Sequence, residues 1–137
     1  MSYDQVVRSG IGIAMAHGAI VGIHGLSHAR LGIGVTQGQA IYIAVIIFIA
    51  PLVAAVSLRR AAVAGFLILM LSMFGALVFG LTYHFILPGP DNVFEVHHRA
   101  WAMLFQFSAL FLALTEAAGT ALGATGLLLS IRKSRRA

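Results

Sequence analysis

At 137 residues, 60% hydrophobic and 9% charged, the chain has too little polar side-chain material to cover a water-soluble domain of its size, so the bilayer is its expected solvent. With no cysteine it can form neither disulfides nor thiolate ligation, and any metal must be held by His, carboxylate or Met. The net charge of +5 arises from Lys and Arg in short flanks of hydrophobic runs, where they act as topology signals and argue against a nucleic-acid partner.

Four hydrophobic stretches are long enough to cross a hydrocarbon core of about 30 Å, and they fall near residues 9–28, 39–57, 61–85 and 98–130. Helices are expected, because open strands leave backbone groups unpaired in lipid. The fold class is therefore all-α: one polytopic domain over residues 1–137, a bundle of four transmembrane helices. The first apolar run has no cleavage site of the small-residue type and is followed by others, so no removable signal is expected. Arg8, Arg59, Arg60, Arg132, Lys133, Arg135 and Arg136 lie on one side of the spans, against Arg30 and Arg99 on the other. That bias puts both termini in the cytoplasm, in an inner membrane of bacterial or archaeal type.

The first stretch contains Gly18-x-x-x-Gly22, a pair that lets helix backbones approach closely. It also carries His17, His24 and His28, spaced by seven and four residues, which at 100° per residue share one side of a helix. In the second stretch Pro51 predicts a kink, with a neighbouring helix satisfying the carbonyl it frees. The third stretch holds Met70 and Met73 and closes on Tyr83 and His84, amphipathic residues suited to a membrane boundary.

The stretch that follows, ILPGPDNVFEVHHRAW (residues 86–101), is the long polar interruption of the chain's second half. Pro88-Gly89-Pro90 stops the third helix, and Asn92-x-x-Glu95 reads as a capping box opening the fourth. Gly119-x-x-x-Gly123 near the end of the fourth stretch is again a packing pattern.

Laid antiparallel, the four spans bring His24 and His28, His84, and His97 and His98 to the extracytoplasmic face. Asp91, Glu95 and His98 would share a face if helix begins by Asp91, and Glu-x-x-His is the spacing of carboxylate-bridged metal sites on bundle helices. The predicted metal ligands are His24, His28, His84, Glu95 and His98, with His97 and Asp91 as further candidates. Such a donor set suits Cu, Zn or Fe, in a redox enzyme or a metal-handling protein.

A second reading makes His24, His28, His84 and His98 the candidate axial ligands of haem b, in a small electron carrier or isomerase. A third is a non-catalytic accessory subunit, its glycine faces suiting a homo-oligomer or a larger membrane complex. His17 and Glu116 fall inside the membrane, away from the outer cluster; each needs a polar partner there, and an interhelical hydrogen bond is the first expectation for His17. No catalytic residue is assigned, since an open coordination position has no sequence signature.

Overall fold

Ser2 and Gln5 open the first helix reciprocally: Ser2 Oγ accepts from Gln5 N–H and the Gln5 side chain accepts from Ser2 N–H. The helix therefore starts earlier than hydropathy alone suggests. In the computed structural model, which describes residues 1–96 and 100–135, the chain is an all-α four-helix bundle. Its helices are α1 (Tyr3–Leu31), α2 (Gln37–Ser57), α3 (Ala62–Ile86) and α4 (Ala102–Ser134), each long and apolar enough to cross a membrane. His97 and His98 lie outside the described residues.

α1 ends at Gly32, whose φ of 68° is the left-handed conformation that glycine adopts without strain. Ile33 N–H then closes back on the His28 carbonyl at 3.0 Å. Thr36 and Gln39 repeat the capping box at the start of α2. Within α2 the segment Ile43–Ile49 winds as π-helix just before Pro51. Pro51 has no N–H, so the Ile47 carbonyl lacks its ordinary helical partner, and His17 of α1 donates to it from Nε2 at 2.9 Å. The expectation that a neighbouring helix rescues this carbonyl is met by a single side chain.

α4 packs along both α1 and α3, and the second half of α2 fills in against α1 and α3. The α3–α4 seam is made by glycine. A Cβ on Gly123 would stand 2.7 Å from the Met70 backbone nitrogen, one on Gly119 would meet the Met73 side chain at 2.7 Å, and one on Gly126 would overlap the Phe66 ring. Gly119-x-x-x-Gly123 is thus used inside the chain. Gly18-x-x-x-Gly22 is not a close-packing surface here: a Cβ on Gly18 would make an ordinary 3.5 Å contact with Leu52, and one on Gly22 would meet nothing.

The core has two parts. Val6, Ala54, Leu58, Phe66, Leu69 and Met73 fill the end that holds both termini, while Ile33, Val93, Val96, Phe105 and Ala109 fill the other. The outward faces remain apolar, with Ile23, Phe48, Leu71, Phe74, Phe107 and Leu114 all exposed.

The start of the fourth helix departs from expectation. Asn92 and Glu95 lie in a chain of turns, and α4 begins at Ala102 after Trp101, whose φ is 74°. The physical reason is competition for the same side chains. Asn92 Oδ1 accepts from Phe94 N–H two residues on, at 2.9 Å, and Asn92 Nδ2 donates to the Leu87 carbonyl at 2.9 Å. An Asx-turn and a capping box begin with the same residue types, and here the turn wins. Gln106 holds the turns to α4 by donating to the Val93 and Val96 carbonyls at 2.9 and 3.2 Å.

Candidate metal centre

His24 and His28 stand one turn apart near the end of α1, and His84 reaches them from α3. The last turn of α3, Thr82–Ile86, is π-helical, with Leu87 N–H bonded to the Thr82 carbonyl at 2.8 Å. Such a turn carries an extra residue and re-aims the side chains on it, which is why it recurs at functional sites. His84 Nε2 lies 3.2 Å from His24 Nε2, and His28 Nε2 lies 3.1 Å from the same atom. One ligand nitrogen from each of the three rings falls within 4.8 Å of the others, so the cluster is capable of coordinating a metal ion.

Hydrogen bonds on the far side of two rings decide which nitrogen carries the proton. His84 Nδ1 sits 3.1 Å from the Asp91 carbonyl oxygen, which can only accept, so Nδ1 carries a proton and, in the neutral ring, the Nε2 lone pair faces the cluster. Ser108 Oγ donates to the Phe105 carbonyl at 3.0 Å, and its lone pair then receives His24 Nδ1–H at 2.8 Å. His24 Nε2 therefore also presents a lone pair. Phe105, fully buried, stacks on His24 with ring centroids 5.0 Å apart and meets His28 and His84 edge-on.

Asp91 completes the group. Its Oδ1 lies 3.1 Å from His28 Nε2 and 3.1 Å from His84 Nδ1, close enough to pair with either ring, yet neither N–H meets it with regular hydrogen-bond geometry and the atom is buried. Burial alone would raise the Asp91 pKa, but the neighbouring His28 and His84 rings outweigh it and hold the carboxyl below the usual carboxylate range. The loop bearing Asp91 is pinned to the site, since Val93 N–H bonds the His84 carbonyl at 2.9 Å.

Of the residues nominated from sequence, the fold gathers His24, His28, His84 and Asp91. Glu95 stands apart: it is exposed, and its Oε2 accepts from Gly89 N–H at 3.0 Å, inside its own loop. The helical face that would have aligned Asp91, Glu95 and His98 is not formed, because residues 91–95 are turns. His97 and His98 are outside the described residues. His17 shares the buried side of α1 but is engaged with Ile47, as expected of an interhelical hydrogen bond. Among the described residues its Nδ1 has no hydrogen-bond partner, though it lies 3.9 Å from Glu116 Oε1, and Glu116 Oε2, also buried, has none.

Three residues escaped the sequence reading. Ser108 orients His24 from across the bundle, a pairing that only the tertiary fold makes. Phe105 carries no signal that separates it from any other apolar residue of α4. Gly80 lies one turn before His84, and a Cβ there would stand 3.5 Å from Glu116 Oε2 and 3.9 Å from His84 Cδ2, so this bare backbone separates the cluster from Glu116.

A cavity of about 560 Å³ opens beside the cluster, with His24, His28, His84 and Asp91 on its wall and Glu116 deeper in. Comparison with family models, with curated proteins and with solved structures finds no match for this chain.

Proposed function

We propose that the chain is an integral membrane metalloprotein whose centre is a single ion held by His24, His28 and His84 at the extracytoplasmic end of the bundle. The observation that carries this reading is the surplus of lone pairs at the cluster. With the three rings neutral, His24 Nε2, His84 Nε2 and Asp91 Oδ1 are all acceptors, and the one proton of His28 at Nε2 satisfies only one of them. A cation at the point where the rings converge satisfies the nitrogens together.

The spacing agrees with this. Metal–imidazole bonds of about 2.0–2.1 Å in a tetrahedral site put the ligand nitrogens about 3.3 Å apart, against 3.1 and 3.2 Å for the two pairs that include His24 and within 4.8 Å for His28 with His84. His24 and His84 each have the far ring nitrogen bonded to a serine or a carbonyl, the arrangement that orients metal-bound imidazoles. Three imidazoles suit Zn or Cu, with Fe next, and leave a fourth position on the cavity side. An ion there would supply a Lewis acid for whatever occupies that position.

A bare ion accounts for the spacing better than haem b does. A porphyrin between two axial imidazoles needs their nitrogens about 4 Å apart, by the same bond lengths, with the ring plane between them. His24 and His84 are closer than that, and His28 points at the same spot.

The membrane assignment rests on four helices of spanning length with apolar residues on their outward faces, a surface that water does not favour and lipid does. The excess of Lys and Arg at the end bearing the termini orients that end to the cytoplasm.

The test is elemental analysis of detergent-purified protein, beside a His24→Ala variant. One equivalent of Zn, Cu or Fe in the wild type, lost in the variant, is expected. Metal no higher in the wild type than in the variant overturns the centre and favours the accessory-subunit reading; a Soret band restores haem.

A further inference from the structure

The cavity beside the cluster is built like a binding chamber, and its chemistry restricts what it holds. Its volume of about 560 Å³ lies in the range of small-molecule sites, roughly 300–1,000 Å³. The walls are mainly apolar, with Ala29 of α1, Ala44 of α2, Ala76 of α3 and Ala113 of α4 alternating with bulkier residues such as Ile43 and Phe79. Among the described residues no Lys or Arg lines it, so no described cation pairs with an anionic head. The polar side chains on the wall are the histidine cluster with Asp91, and Glu116.

Glu116 is the unexplained group. It is 2% exposed, its Oε2 has no hydrogen-bond partner among the described residues, and it approaches His84 across the bare backbone of Gly80. A buried carboxyl without a partner is costly, and in a membrane interior such a group points to a ligand or a proton path. The rim of the cavity faces outward. α1 packs on the second half of α2 much more than on the first, and in the resulting gap Gly25 and Phe48 are exposed at the cavity edge.

We propose that this cavity is the ligand chamber of the metal centre and takes an uncharged, oxygen-headed amphiphile from the surrounding lipid, a long-chain alcohol being its simplest form. The head lies over Gly80, between the open metal position and Glu116, and the chain lies along the alanines between α1 and α2. The inference rests on the metal reading for one of its two polar contacts. Glu116 is the other, a positioning residue that hydrogen-bonds the head.

The probe is 1-dodecanol bearing a diazirine in its chain, photolysed with the metal-loaded protein in detergent and mapped by peptide mass spectrometry. Labels are expected on residues 21–29 and 40–48, displaced by unlabelled dodecanol and not by dodecane. Gly25→Leu fills open space, since a Cβ there meets nothing, and should abolish these labels without changing the elution profile or helix content. Glu116→Leu should cut the preference for dodecanol over dodecane about tenfold, as expected for losing one buried hydrogen bond.

Labels spread over the outer faces and indifferent to Gly25→Leu overturn the chamber, as does equal displacement by dodecane. Elemental analysis of the same samples separates the two readings. Metal present with the cavity unlabelled sinks the chamber alone, and a labelled cavity with no metal sinks the shared site.

Discussion

The Nε2 atoms of His24 and His84 stand 3.2 Å apart, each with its ring proton committed on the opposite side, to Ser108 Oγ and to the Asp91 carbonyl. In the neutral rings two lone pairs then stand face to face, and they repel unless a cation or a further proton lies between them. The orienting groups are therefore as informative as the rings. Replacing Ser108 with Ala removes the acceptor that fixes the His24 tautomer while leaving all three imidazoles in place. Metal affinity should fall about 10–100-fold, the usual effect of losing such a partner, as measured by competition with a chelator. Unchanged affinity would mean that the His24 tautomer does not depend on Ser108.

Glu95 offers the opposite test. Its carboxylate is exposed and spent on Gly89 N–H, so Glu95→Ala should bind as much metal as the wild type. A loss of metal in that variant would return Glu95 to the ligand set and imply that the loop rearranges around the ion.

His17 belongs to the fold. Its Nε2–H satisfies the carbonyl that Pro51 leaves open in α2, and His17→Leu strands that carbonyl inside the bundle. Interhelical hydrogen bonds of this kind contribute about 0.6–1.7 kcal/mol, so a modest fall in unfolding midpoint in detergent is expected, with metal content unaltered. Metal loss at full stability would contradict the separation of His17 from the cluster.

The glycine seam predicts a sharp contrast between two superficially alike motifs. Gly123→Ala drives a methyl against the Met70 backbone, which cannot swing aside, and should destabilise by about 1–3 kcal/mol. Gly22→Ala meets nothing and should stay within about 0.5 kcal/mol of the wild type. If Gly22→Ala instead disrupts a complex on a sizing column, the first motif serves assembly between chains.

What could be read from the residues alone follows from the range of the interactions. Helix number and approximate extent are set by runs of apolar side chains, which are local, and so all four helices were visible. The histidine stripe of α1 was visible for the same reason, since seven- and four-residue spacings fix a face. Its division into a structural His17 and a clustered His24 and His28 was not, because it depends on Pro51 from another helix. Ser108 meets His24 from 84 positions away, and only the tertiary fold makes that pairing. At residues 91–95 the local signal itself was ambiguous: Asn92 and Glu95 suit a helix cap and a turn equally, and contacts with Leu87 and Gly89 decide between them.

The seam of Gly119, Gly123 and Gly126 locks α3 to α4 over the half of the bundle that carries the termini, and it stops short of the level of Gly80 and His84. Beyond it the helices are tied by the smaller core around Phe105 and Ala109, by a polar loop, by the histidine cluster and by a cavity wall. Amide hydrogen exchange should therefore be graded along α3, slowest beside Met70 and Met73 and faster toward Ile86. The end that carries the histidines is free to open by local fluctuation without the base coming apart, so a ligand of the proposed chamber need not wait on global unfolding.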